Sequence, residues 1–118
     1  MLRKLLRAKI HRATVTEADI EYVGSITIDS KLLDATGIAP GECVLVADVD
    51  NGNRFETYVF EGQAGTGVIC INGAAARLVD VGDKVIVIAF GYVEDHEVAG
   101  VEPRVILVND DNTVKTVL

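Results

Sequence analysis

The run Glu21-Tyr22-Val23-Gly24-Ser25-Ile26-Thr27-Ile28-Asp29 decides how the rest of this chain is read. Apolar strand formers flank Gly24-Ser25, so a strand is expected from about Glu21 to Ile28. Within it a residue lacking Cβ precedes a hydroxyl nucleophile. Glycine accepts backbone angles that other residues avoid. Alone, the pair is an ordinary turn or strand entry.

Working outward, the segments on either side are short and mostly strand-like. Upstream, Ala8-Lys9-Ile10-His11-Arg12 alternates, placing Lys9 and His11 on one face and Ala8 and Ile10 on the other. Downstream, Asp29 or Ser30 suits an N-cap, Leu32, Leu33 and Thr36 form a helical stripe, and Gly37 suits a C-terminal stop. Pro40-Gly41 turns into a strand over 43–47. Asn51-Gly52 is a strong hairpin signal leading into 54–60. A glycine-rich loop over 62–67 precedes a short strand, 68–71, and one or two helical turns over 74–78. Val81-Gly82-Asp83 turns into a strand over 84–92, and 104–108 is the last strand. The polar stretch 109–118 is expected to be a loose tail. Many short strands separated by turns predict a mostly β fold with short helices, closed into a barrel.

Composition narrows the function. At 118 residues, with no linker or repeat, the chain is expected to be a single domain, 1–118. A net charge of −7 argues against binding a phosphate backbone, so no nucleic-acid partner is expected. The longest apolar run, Val85 to Phe90, is too short for a membrane span, which takes about 20 residues. Basic residues at Arg3, Lys4, Arg7 and Lys9 are not followed by the apolar stretch of a signal peptide, so a cytoplasmic location is expected. Cys43 and Cys70 lie in apolar runs and are expected to be small buried hydrophobes. His11 and His96 are not at ligand spacing with either, so no metal site is expected.

Four blocks in order give these segments a shared meaning. They are Lys9-Ile10-His11-Arg12-Ala13-Thr14-Val15-Thr16, Tyr22-Val23-Gly24-Ser25, Asn51-Gly52-Asn53-Arg54-Phe55-Glu56-Thr57-Tyr58, and Asn72-Gly73-Ala74-Ala75-Ala76. With them the chain closely resembles the pyruvoyl-dependent aspartate 1-decarboxylases, to about Tyr92. The resemblance implies a six-stranded double-psi β-barrel. It implies that the Gly24-Ser25 bond breaks itself, separating 1–24 from 25–118 and converting Ser25 to a covalent pyruvoyl group. No PLP and no metal are implied. L-Aspartate would join the ketone as a Schiff base, lose its α-carboxylate as CO₂ and leave as β-alanine, for pantothenate and coenzyme A synthesis. A homotetramer is implied, and in some members a helper protein for maturation.

Site roles follow from that resemblance together with side-chain chemistry. Ser25 is the cofactor precursor, and Gly24, Ser25 and Thr57 take part in self-cleavage. A dianionic substrate needs fixed cations. Arg54, with its planar fork, is expected to hold the remaining carboxylate, and Lys9 is the second cation. Tyr58 is expected to be the proton donor. Thr57 also contacts substrate, along a small-residue wall of Gly73, Ala74 and Ala75. His11, Tyr22 and Asn72 are supporting candidates. Thr57 and Tyr58 are neighbours on one strand, so their side chains should point to opposite faces; intersubunit sites would reconcile them. The competing reading is a non-catalytic double-psi barrel used as a binding or adaptor module. It needs neither Gly24-Ser25 nor Arg54 with Tyr58.

Overall fold

The computed structural model describes residues 1–118. Nine strands share one hydrogen-bonded sheet: β1 (Leu2–Thr14), β2 (Glu17–Asp19), β3 (Ser25–Asp29), β4 (Cys43–Asp48), β5 (Arg54–Gly62), β6 (Ile69–Asn72), β7 (Lys84–Glu94), β8 (Arg104–Val108) and β9 (Val114–Val117). Their order is β2-β6-β3-β5-β4-β7-β1-β8-β9. β2 follows β1 across Val15 and Thr16 alone, yet pairs with β6 at the far end of that order. The bend is stitched by Thr16 N–H to the Ile69 carbonyl and Val15 N–H to the Asp83 carbonyl, both at 2.9 Å. With β1 and β2 taken as one bent strand, the sheet closes into a ring of six members: β1/β2, β6, β3, β5, β4 and β7. The expected six strands are therefore nine. The bend splits one of them, and the β8–β9 pair is added outside the ring on β1.

The closure is driven by one apolar face per strand. Ile10, Ile26, Ile28, Val46, Val59, Ile69, Ile71, Val85, Val87 and Ile106 are fully buried. Each such side chain contributes about 1.5–3 kcal/mol relative to exposure. In β1 the inward positions Ala8 and Ile10 keep period two, but the next are Ala13 and Val15. The odd step is absorbed at a register shift between Ile10 and Ala13, where Arg12 takes a φ of 65°. Such a bulge lets the strand bend without turning its apolar face outward.

The single α-helix, α1 (Ser30–Thr36), is set by local chemistry at both ends. The Asp29 carboxylate accepts the Lys31 N–H at 2.9 Å. Gly37 has a φ of 74° and returns its N–H to the Leu33 carbonyl at 2.8 Å. Two 3₁₀ segments, Gly73–Leu78 and Asp95–Gly100, complete the chain. No helix is long and apolar enough to cross a membrane.

Several expectations are corrected. Residues 20–24 form a turn and bend, so the strand expected from Glu21 begins only at Ser25. The tail is not loose: β9 pairs antiparallel with β8, and Leu118 N–H reaches the Val105 carbonyl at 2.8 Å. Cys70 is buried as expected, but Cys43 is exposed. On β4 the inward position is Val44, and strand alternation turns Cys43 outward, 3.7 Å from a Glu56 carboxylate oxygen.

Candidate active site

β3 lies between β6, antiparallel, and β5, parallel. Ser25 therefore opens a central strand directly opposite Asn72. Its side chain is fully buried. The Ser25 hydroxyl donates to the Val23 carbonyl at 3.0 Å and accepts from Asn72 Nδ2 at 2.9 Å. The same Nδ2 donates to Thr27 Oγ1 at 3.2 Å. On its other side, Asn72 Oδ1 accepts the Cys70 thiol at 3.1 Å. Donors on one end and acceptor on the other fix the amide's orientation. Burial, followed by the nearby Glu17 carboxylate, pushes the Cys70 thiol up to about 11. At neutral pH it is a protonated donor that steadies Asn72.

Gly73 brings a second constraint. Its φ is 79°, and a Cβ there would lie 2.7 Å from Gly24 Cα, 2.9 Å from Gly24 N and 3.3 Å from the Tyr22 carbonyl oxygen. Only a residue without a side chain fits that approach. The 3₁₀ segment thus starts with backbone packed on backbone at the Gly24-Ser25 bond. Ala74 is exposed just beyond it, Ala75 half-buried and Ala76 buried. The Tyr22 side chain is exposed and lines a shallow pocket of about 260 Å³ with Glu17, Asp19, Thr27 and Asn72.

Thr57 and Tyr58 separate as strand geometry requires: Thr57 is buried and Tyr58 is 58% exposed. The register pairs Ile26 with Val59, so Tyr58 is level with Ser25 across the β3–β5 boundary. Thr57, one residue earlier, pairs with Val44 of β4. Arg54 stands exposed at the start of β5, opposite Ala47.

Lys9 and His11 lie elsewhere on the ring. Both are half-buried on β1, where Lys9 pairs with Ile88 of β7 and with Val105 of β8 rather than with β3. His11 lines a different pocket, of about 240 Å³, with Arg12, Lys84, Leu107, Asp110 and Lys115. Burial, then the charges of Lys9 and Arg12, hold its pKa below the usual histidine value. Within one chain the structure gathers Gly24, Ser25, Asn72 and Gly73, with Thr57 and Tyr58 alongside. It leaves Lys9 and His11 apart.

Sequence reasoning missed two members of the cluster. Thr27 shares the Asn72 amide with Ser25, and Cys70 holds that amide's far end. Spacing i, i+2 puts Ser25 and Thr27 on one face of a strand, which is the signal that was available.

Known proteins resemble this chain along its length. The aspartate decarboxylase family profile matches residues 1–115. The chain belongs to the aspartate decarboxylase family. A protein from Neisseria meningitidis serogroup C named aspartate 1-decarboxylase is 52% identical over 118 residues, covering 100% of this chain and 93% of the relative. The protein of that name from Bacillus subtilis strain 168 matches with the same figures, 52% over 118 residues, 100% and 93%. The one from Clostridium beijerinckii is 53% identical over 117 residues, covering 99% and 94%. Among solved structures, the rationally designed mkDPBB_sym1 protein superposes with a TM-score of 0.50 at 29% identity, covering 74% of this chain and 96% of that one. A second design, mkDPBB_sym_86, gives 0.50 at 28% identity, with coverage of 70% and 91%. Both are double-psi β-barrels, and the fold of this family member is a barrel of that class.

Proposed function

We propose that this chain decarboxylates L-aspartate to β-alanine and CO₂ using a pyruvoyl group made from its own Ser25. One observation carries the reading: a fully buried Ser25 hydroxyl held by Asn72, next to a Gly24 backbone pressed by Gly73. The residues fit the group. A pyruvoyl group is smaller than the serine it replaces, so the fully buried position 25 can hold it, and departure of Oγ frees the Asn72 Nδ2 donor beside it.

Maturation uses the chain's own atoms. The Ser25 Oγ adds to the Gly24 carbonyl carbon and the C–N bond breaks, so the acyl group moves from nitrogen to oxygen and the hydroxyl proton ends on the freed amine. Removal of the Ser25 Cα proton then expels the Gly24 carboxylate. Residues 1–24 leave with a free C-terminus, and position 25 becomes a dehydroalanine. Water replaces its nitrogen, which leaves as ammonia. Thr57 is the hydroxyl assigned to this step.

When formed, the pyruvoyl ketone supplies an electron sink for the pair released with CO₂. The remaining work belongs to side chains. The Arg54 fork binds the carboxylate that stays, with Lys9 as second cation. Gly73, Ala74 and Ala75 form the wall along which substrate lies. The Tyr58 phenol delivers a proton to substrate Cα. His11 and Tyr22 support the rim. Because Lys9 pairs with β7 and β8 rather than β3, and Tyr58 is exposed, the site is completed between copies in a homotetramer. A cytoplasmic role supplying β-alanine for pantothenate, with or without a helper protein for maturation, accompanies this reading.

Denaturing mass spectrometry on protein incubated warm tests it. Two fragments, 1–24 and 25–118 with a blocked N-terminus, are expected, together with β-alanine formation. Ser25→Ala should fold, stay intact and be inactive. An intact wild-type chain without decarboxylase activity rejects the proposal.

A further inference from the structure

Opposite the processing site in sequence logic, and unused by it, stands a cluster of three carboxylates. Asp48 ends β4, Asp50 sits in the β4–β5 hairpin, and Asp83 ends the turn before β7. One carboxylate oxygen from each lies within 4.8 Å of the others. Such a cluster repels itself unless something offsets it. Three of its six oxygens have backbone partners. Asp48 Oδ1 accepts the Asp50 and Asn51 N–H groups at 2.8 and 3.2 Å. Asp50 Oδ2 accepts the Lys84 N–H at 2.8 Å, and Asp83 Oδ2 accepts the Asp80 N–H at 3.0 Å.

Of the other three, Asp48 Oδ2 is the buried one. Asp48 is only 2% exposed, and this oxygen is buried with no hydrogen-bond partner. It is the one such orphan among the chain's buried side-chain nitrogens and oxygens. A bare carboxylate oxygen inside a protein is costly, on the order of 1–3 kcal/mol or more. Lys84, next to Asp83 in sequence, is turned to other partners: its Nζ donates to Thr14 Oγ1 at 2.6 Å and to Asp110 Oδ1 at 2.8 Å. What remains is a pocket of anionic oxygens, buried on the Asp48 side and open to water on the Asp50 side.

We propose that Asp48, Asp50 and Asp83 form a binding site for a hard divalent cation, Ca²⁺ in the first instance. All-oxygen donors of this kind suit Ca²⁺, which tolerates irregular coordination and completes its shell with water. The site joins elements that matter beyond itself. Its hairpin feeds directly into Arg54, and Asn51 Nδ2 and Asn53 Nδ2 both donate to the Leu78 carbonyl at 2.9 Å. A cation there would pin the hairpin, the end of the Gly73–Leu78 segment and the start of β7 together. With three protein ligands and one open side, the affinity belongs with weak sites, on the order of 10⁻⁴ M.

A rival occupant is a proton. Burial, then contact with the Asp83 carboxyl, lifts Asp48 to about 6, so the experiment is run at pH 8 where it ionises without a cation. Chelator-treated full-length protein is titrated with CaCl₂ by calorimetry, and its thermal midpoint is followed in parallel. One Ca²⁺ per chain and a rising midpoint are expected. Asp50→Asn, an exposed change that leaves the fold alone, should weaken binding about tenfold or more. Asp34→Asn, an acidic loss outside the cluster, should leave it unchanged. Absence of binding heat overturns the proposal, as does equal affinity in Asp50→Asn. An infrared carboxylic-acid band that persists at pH 8 in calcium and vanishes in Asp48→Asn also overturns it, by assigning the gap to a shared proton.

Discussion

Two regions of the barrel are built to different standards. At the Gly24–Ser25 crossing every polar atom on the Ser25 and Asn72 side chains has a partner in the same chain, and the backbones meet so closely that a methyl group has no room. Along β5, Arg54 and Tyr58 stand exposed, and Lys9 sits on β1 between β7 and β8. On the proposed function the contrast is a division of labour. Making the cofactor would use positioning inside one fold, whereas binding substrate would use exposed cations and an acid that a second copy completes.

The sharpest way to break this contrast is at its tightest point. Gly73→Ala adds a Cβ into backbone atoms at 2.7 and 2.9 Å, where no side chain can swing away. Self-cleavage should be abolished or the barrel opened, read by fragment mass and circular dichroism on the same sample. Gly52→Ala is the companion. Gly52 has nearly the same φ, 79°, but nothing within 4 Å of an added Cβ. It should cost only the left-handed penalty, about 1–2 kcal/mol, and still be processed. Equal behaviour of the two variants would reduce the crossing to an ordinary turn.

Next in size is Tyr58→Phe, which probes the open region alone. The variant should be cleaved normally and keep a ketone trappable by borohydride, because Tyr58 makes no contact with the Ser25 network. β-Alanine formation should fall by about 10² to 10⁴, the usual loss for one positioned acid. Normal turnover by the processed variant would assign the proton elsewhere. Arg54→Lys should cost less. It keeps the charge but loses the bidentate fork, worth about 1.5–3 kcal/mol in kcat/KM. Unchanged kinetics with aspartate would move the carboxylate to Lys9.

How much of this was legible in the sequence follows the same contrast. The apolar alternation of β4, β6 and β7, the Asn51-Gly52 hairpin and both ends of α1 could be read because each rests on local chemistry. The Gly24-Ser25 pair pointed to the site, but its grip by Asn72 did not show: those residues meet only through the β3–β6 register. β9 was missed because all its residues are exposed and only backbone bonds to β8 hold it. The segment Asp95–Gly100 buries nothing; a reciprocal capping box between Glu94 and Glu97 fixes it. The Asp48 cluster was invisible for a related reason. Aspartates at 48 and 50 look like hairpin solubility until the turn at Asp83 is folded against them.

The smallest effect concerns neither cleavage nor turnover, and it tests whether the processing region's rigidity extends along β3. Asp29 ends that strand, and its buried carboxylate accepts three backbone N–H groups: Lys31 at 2.9 Å, Gly65 at 3.1 Å and Gly67 at 2.8 Å. Burial alone would raise its pKa, but those donors outweigh it and hold the pKa below 3.8. A depressed folded value means the charged form is favoured by folding. The stabilisation is therefore complete above the ordinary carboxylate range and is lost as pH falls through the lower, folded pKa. Between pH 7 and 5 the Asp29 contribution should not vary with pH; below about pH 4 it should decline. Asp29→Asn still caps α1 but gives up one acceptor oxygen, so about 1 kcal/mol should go at pH 7. Urea unfolding of the Ser25→Ala background, which keeps the chain whole, measures both quantities. The difference between the two proteins should shrink as the solution is acidified, because wild-type Asp29 loses the charge that the amide never had. A difference that grows in acid would mean that Asp29 is held neutral in the fold and that the loop over Gly65 and Gly67 is anchored by something else.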